Sequence, residues 1–258
     1  MADAGSFPPD GESAHNEHEA GLPLHKGSEE SHHYELLKLV REDLQKSGFS
    51  DLGVDEKTLE RFLVTNSLDP KKASDALMNH LKWWNAFAPL GYIPEDYIIR
   101  ERRTGKLCLQ GHDKKGRTLG VFLIVKHNVF ERDIEEFKRY AVYSLEKAIS
   151  SSKNEAKEVS VIVDLAGWGY KSVDIQGYLA LLEILQEHYL KHLGKMILIH
   201  APLVFWAVWK ITSPFFNEFT RQKMIFVEDK NIKSVLLSEI DLDQMPDMYG
   251  GRMQLCPA

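Results

Sequence analysis

The turn Ala166-Gly167-Trp168-Gly169-Tyr170-Lys171-Ser172 follows the apolar run VSVIVDL at 159–165 and leads into a helical pattern. A strand before and a helix after is the setting of a phosphate or dinucleotide loop, whose glycines let the backbone approach a pyrophosphate. Here Ser172 stands at the third glycine position and no Gly-Lys-Ser/Thr ending follows, so the stretch reads as a tight turn. The sequence has no G-x-S-x-G elbow, H-E-x-x-H or C-x-x-C either. His15, His18, His25, His32 and His33 gather near the N-terminus at spacings that match no defined metal site. His112-Asp113 falls in a turn and reads as a solvent-facing polar loop. With no nucleophile–base pair, neither an enzyme nor a metal or cofactor is expected. The chemically conspicuous residues are apolar: 203–219 packs Phe205, Trp206, Trp209, Phe215, Phe216 and Phe219 among Leu, Val and Ile. Helices of globular proteins normally keep a polar face, and this one keeps little of one. It is either a core helix broken at Pro214 or an apolar lid over a ligand pocket, and periodicity alone favours the core.

The elements around these residues follow from composition and period. The chain has 258 residues, a formal net charge of −6 and 43% hydrophobic residues. That supports one large domain or two small ones and does not suit a nucleic-acid binder, which normally shows a basic excess. Two cysteines, Cys108 and Cys256, set no disulfide framework and point to a reducing cytoplasm. The N-terminus does not read as a secretory signal, and no 18 uncharged apolar residues stand together. Residues 1–30 are polar and rich in Gly, Pro, Ser, Glu and His, as in a disordered tail. Helical periods follow from Ser31 (Leu36, Val40, Leu44), after Asp55 (Leu59, Phe62, Leu63), and from Asp69-Pro70 (Ala73, Leu77, Leu81, Trp84). Runs at 106–110, 118–126, 159–165, 195–200 and 224–227 then read as strands, with a helix at 131–150 that turns Ile134, Phe137, Ala141, Leu145 and Ala148 inward and one of about 20 residues between 165 and 195. Alternating strands and helices mean an α/β sheet with mainly parallel neighbours.

The order of short motifs narrows this further. Arg61-Phe62-Leu63, Gly116-Arg117, Asp164-Leu165-x-Gly167, His188-Tyr189…Leu193-Gly194-Lys195 and Ile199-His200-Ala201-Pro202 occur in that sequence. Phe205, Trp209, Pro214-Phe215, Thr220-x-x-Lys223 and Met245-Pro246…Tyr249-Gly250-Gly251 follow them. Together, over roughly residues 55–252, they resemble the CRAL-TRIO (Sec14-like) family of lipid-binding and phosphatidylinositol-transfer proteins. The resemblance implies an α/β fold: a small N-terminal helical lobe, then a CRAL-TRIO lobe whose mostly parallel sheet floors an apolar lipid pocket. The divisions expected are a tail at 1–30, a helical lobe at 31–92, the lipid-binding domain at 93–252 and a C-terminal tail at 253–258.

By the same resemblance Phe205, Trp209, Phe215, Phe216 and Phe219 form the pocket wall and a mobile gate. Thr220 and Lys223 fall where inositide carriers hold the head-group phosphate, and Lys191 where they carry a glutamate that contacts inositol. An ammonium and a hydroxyl together suit a phosphodiester. Phe215 and Phe219 are expected on one helical face and Phe216 on another, where it would meet the membrane. The family's basic run after Arg-Phe-Leu is Val64-Thr65-Asn66-Ser67 here, and Trp168 and Tyr170 replace the small hydroxyl residues that hold choline. The function implied is a cytoplasmic carrier of one phosphatidylinositol-like phospholipid that meets membrane surfaces transiently. The alternatives are a lipid-sensing module acting through a protein partner, or a carrier of another hydrophobic ligand, such as a haem or prenol near Trp168, Tyr170 and His200.

Overall fold

The computed structural model describes residues 26–49 and 54–255. The tail expectation for residues 1–25, with His15, His18 and His25, lies outside those residues, as does Cys256. Helices α1 (Lys26–Lys46), α2 (Glu56–Thr65) and α3 (Pro70–Phe87) make the helical lobe. Asp55 caps α2 by accepting from the Thr58 amide at 2.8 Å. Asp69 caps α3 by accepting from the Lys71 and Lys72 amides, with Pro70 at the first position, where no N–H is needed. Val40, Leu44, Leu59, Leu63, Ala73 and Leu77 close a small core among the three.

A short α4 (Ile99–Arg103) leads to β1 (Leu107–His112) and β2 (Thr118–Leu123). Then come α5 (Ile134–Ser151), β3 (Val159–Asp164), α6 (Ile175–His188) and β4 (Leu193–Ile199). Helices α7 (Leu203–Thr212) and α8 (Glu218–Gln222) precede β5 (Met224–Phe226), and α9 (Ile232–Glu239) follows it. The sheet runs β1-β2-β3-β4-β5, antiparallel between β1 and β2 and parallel thereafter. Each crossover from β2 onward steps the same way across the sheet. Right-handed crossovers therefore place α5, α6 and the α7–α8 segment on a single face.

The opposite face is close-packed. Leu119, Val121, Ile162, Ile197 and Ile199 meet Ile232 and Leu236 of α9 and Met245 and Tyr249 beyond it. Three sequence motifs converge at Asp164 on this side. Its carboxylate accepts from Tyr249 Oη at 2.7 Å and from the Ala166 amide at 2.9 Å, and lies 2.8 Å from His200 Nδ1. The chain's closing Tyr-Gly-Gly is thus bound to the turns that end β3 and β4. Gly251 lies so close to Met245 that a Cβ would sit 2.0 Å from its carbonyl oxygen.

The strands and helices expected from the sequence are present, with α1 starting at Lys26 rather than near Ser31. Helix α6 is shorter than the roughly 20 residues expected, because Asp174 caps it by accepting from the Gly177 amide. One reading is corrected. Asp113 is buried, not solvent-facing: it accepts from the Lys115 and Arg117 amides, from Arg117 Nε and from Ser160 Oγ. The Arg117 side chain then crosses Gly194, where a Cβ would come within 2.5 Å of it. Gly116-Arg117 and Leu193-Gly194 are therefore one packing unit, a partnership that spacing along the chain does not reveal.

Candidate functional site

Between the sheet and its crossover helices lies a cavity of about 290 Å³. Its floor is the alternate set of strand residues, among them Leu107, Gly120, Phe122, Val161, Val163, Met196 and Leu198. Helix α5 contributes Phe137, Ala141, Leu145 and Ala148, four of the five residues expected to face inward, and α6 contributes Leu179, Leu182 and Leu185. Trp168, Phe205, Val208, Trp209 and Phe216 close the remaining side. The wall is almost wholly carbon, and several polar groups on it are bonded inward. Tyr178 Oη donates to the Ser172 carbonyl, Tyr189 Oη to Glu146 Oε1 at 2.6 Å, and Thr212 Oγ1 to the Val208 carbonyl at 3.0 Å.

Of the five aromatic residues expected at the wall or gate, three line the cavity. Phe205 and Trp209 stack with ring centroids 6.2 Å apart, and Trp209 meets Phe216 at 5.1 Å. Pro214 does end α7, whose last turn tightens into Ser213–Phe215. The expected restart of a helix there is corrected: Phe216 is extended, and Asn217 caps α8 by accepting from the Thr220 amide. The orientation expected for the gate therefore reverses. Phe216 turns inward onto Trp209, and Phe215, 56% exposed, points outward. Leu203 (91% exposed), Val204, Trp206 and Ile211 continue that outward face along α7. One face of α7 thus lines the cavity and the other is exposed.

The proposed head-group residues lie beside the cavity rather than in its wall. Lys191 Nζ and Lys223 Nζ each stand 4.3 Å from the centroid of the Phe219 ring. Lys223 is held already, donating to the Leu193 carbonyl and to Glu158 Oε1 at 3.2 Å. Burial, and then the Lys223 charge, push the Lys191 ammonium below its ordinary pKa. Thr220 is buried within α8. His192, next to Lys191, lines the cavity and connects the lysine pair to its end. Of the residues considered for a haem or prenol, Trp168 lines the cavity, while Tyr170 is 82% exposed and His200 is turned to Asp164.

Sequence reasoning missed a buried charge network at the opposite end. Lys106, 1% exposed and lining the cavity, pairs with Glu101 and lies 3.0 Å from His127 Nδ1. His127 Nε2 is 3.1 Å from Asp174, which Arg132 grips with two bonds of 2.7 and 2.6 Å. Burial acts to raise the Asp174 pKa, but the bonds from His127 and Arg132 outweigh it and hold the carboxyl well below the usual range. In the structure Asp174 also caps α6. A cap is ordinarily exposed, so nothing marked it as a hub.

Comparison with known proteins agrees with this geometry. The CRAL/TRIO domain family model matches residues 102–251, more than half of the chain. A CRAL-TRIO domain-containing protein of Schizosaccharomyces pombe is 27% identical over 194 residues, covering 75% of this chain but only 18% of that protein. The SEC14 cytosolic factor of Candida glabrata is 24% identical over 251 residues, covering 91% of this chain and 82% of the relative. A phosphatidylinositol transfer protein of Eremothecium gossypii is 24% identical over 233 residues, covering 85% and 53%. The crystal structure of Sfh5 superposes with a TM-score of 0.64 at 19% identity, over 89% of each chain, which shows a shared fold. Among the described residues no helix is long and apolar enough to cross a membrane.

Proposed function

Because this chain belongs to the CRAL/TRIO domain family, and one of its relatives is a phosphatidylinositol transfer protein, we propose that it carries one phosphatidylinositol-like phospholipid and exchanges it at membrane surfaces. The observation that carries the reading is the carbon-lined cavity closed by α7, whose outer face is apolar as well. Hydrocarbon gains about 0.8 kcal/mol per CH₂ on leaving water. Chains coming from a bilayer were already dry, so that gain nearly cancels. The protein needs only to match the membrane, and selection falls to the head group. Lys191 and Lys223, with Thr220, are the residues we assign to the phosphate, reached as α7 and α8 swing out. At about 290 Å³ the cavity sits at the lower edge of the usual range for ligand pockets, roughly 300–1,000 Å³, so a two-chain lipid requires that movement.

In this reading the protein does no covalent chemistry. It works in the cytoplasm and touches membranes transiently through Leu203, Val204, Ile211 and Phe215. A second reading, a carrier of a ligand without phosphate, is favoured by one observation: Lys223 is already satisfied by Glu158 and the Leu193 carbonyl. Organic extraction and mass spectrometry of freshly purified protein decide between them, alongside vesicle-to-vesicle transfer of labelled phosphatidylinositol. Inositide in the extract and transfer in the assay are expected. A protein with no bound lipid that moves none between vesicles is not a carrier.

A further inference from the structure

Where the helical lobe meets the cavity wall, three histidines come together, His192 buried and His80 and His188 partly buried. His80 comes from α3, His188 ends α6, and His192 follows it. The His80 and His188 rings are 5.3 Å apart, and His188 stacks on Trp83 with centroids 3.8 Å apart and planes 16° from parallel. Nδ1 of both His80 and His188 is buried without a hydrogen-bond partner. His192, 7% exposed, has Nδ1 2.8 Å from the Lys157 carbonyl. His192 and Tyr189 are also cavity wall, so the junction and the ligand site share residues.

The charges around this cluster do not neutralise it. Arg61 of α2 acts on His80 and His192, and Glu60 of α2 is 3.8 Å from His33 of α1. Glu146 of α5 accepts from Tyr189 and also faces Arg61, as does Asp55. Glu187 of α6 is exposed, 3.9 Å from His188 Nε2. Lys191 precedes His192, with Lys157 and Glu158 across from it. Among the described residues only the exposed Glu187 comes within ion-pair distance of one of the three rings, so imidazolium ions at His80 and His192 would stand beside Arg61 without a close counter-charge. Burial first, then Arg61 or the neighbouring histidine, pushes His80, His188 and His192 each down to about 4.

We propose that this junction is an acid-released latch: protonation of His80, His188 and His192 beside Arg61 parts α2 and α3 from α6 and, through Tyr189 and His192, opens the cavity wall to release its ligand. The release half rests on the carrier reading; the latch itself does not. Parted from one another, the histidines regain their ordinary value of 6.5. The open form therefore takes up protons first. The latch is fully shut above pH 6.5, and each histidine favours opening by up to ~10-fold per pH unit as pH falls from there toward 4.

Hydrogen exchange by mass spectrometry on the full chain tests the latch, as protection factors corrected for the intrinsic pH dependence of exchange. Between pH 7.5 and 5.0, protection in α2, α3 and the end of α6 is expected to fall more than tenfold while β3 and β4 keep theirs. His188→Gln, which cannot charge, should flatten that fall; if it does not fold, the wild-type profile still decides. Protection that is independent of pH, or lost from lobe and sheet together, overturns the latch. For release, protein loaded with labelled phosphatidylinositol is moved from pH 7.5 to 5.0. Loss of the label supports the coupling, and retention despite an open lobe overturns it. A protein that takes up no lipid at pH 7.5 sinks the carrier reading, and the release half with it, while the exchange profile still judges the latch.

Discussion

Replacing Phe216 and Phe215 separately by alanine tests which aromatic ring closes the cavity and which meets the bilayer. A fully buried Phe→Ala change costs ~3–5 kcal/mol. Phe216 is only partly buried against Trp209, so about half of that, ~2 kcal/mol, is expected. For a domain of this size 1 kcal/mol moves Tm by ~2–4 °C, so Phe216→Ala should lower Tm by ~4–8 °C. Phe215 is 56% exposed, and its removal should change stability by no more than ~0.5 kcal/mol. Its cost appears at the membrane instead. Burying the exposed half of a Phe side chain is worth roughly 1 kcal/mol, which is about fivefold in vesicle affinity. Scanning calorimetry and cosedimentation with phospholipid vesicles, run on both variants and wild type, read the two effects apart. Should Phe216→Ala melt with wild type but fail to bind vesicles, while Phe215→Ala does the reverse, the inward–outward assignment is wrong and α7 does not present the face described.

Lys223→Ala removes the bonds to the Leu193 carbonyl and Glu158, so it should cost ~1–2 kcal/mol of stability. It should also slow phosphatidylinositol transfer, and an unaltered transfer rate would remove Lys223 from the head-group site. Asp174→Asn leaves Arg132 and His127 buried beside a neutral amide and should cost ~3–5 kcal/mol in urea unfolding. Because the Asp174 pKa is depressed in the folded protein, its contribution is present above the ordinary 3.8 and disappears as pH falls below it. The mutant should accordingly show a weaker loss of stability in acid than wild type. Ala141→Trp fills the cavity from α5 and should abolish co-purifying lipid with the fold retained by circular dichroism; an undiminished lipid content would place the ligand elsewhere.

The backbone was more legible than the chemistry. Apolar runs, the Asp55 and Asp69 caps and the Pro70 start placed the elements, because these signals are local and act within one turn or one strand. The cavity side of α5 was legible for the same reason. Asp113, Arg117, Lys106 and Asp174 were not, since a charge inside a buried network is the same letter as one in water, and some of its partners lie 47 residues away or more. Phe216 was misplaced by carrying the helical period across Pro214. Asn217, a good N-cap three residues before Thr220, was the signal that the helix restarts later.

The sheet's two faces differ in what they ask of the chain. Leu119, Val121, Ile162, Ile197 and Ile199 hold α9 and the closing turn, whereas Gly120, Phe122, Val161, Val163, Met196 and Leu198 touch only the ligand's side. Since a strand turns successive side chains to opposite faces, stability and specificity are written on alternate letters of the same words. A substitution at an even position of β2, or an odd position of β3, reshapes what the cavity accepts and leaves the other packing intact. The same pocket can therefore be retuned to a new guest one residue at a time, with no intermediate that has to surrender its fold.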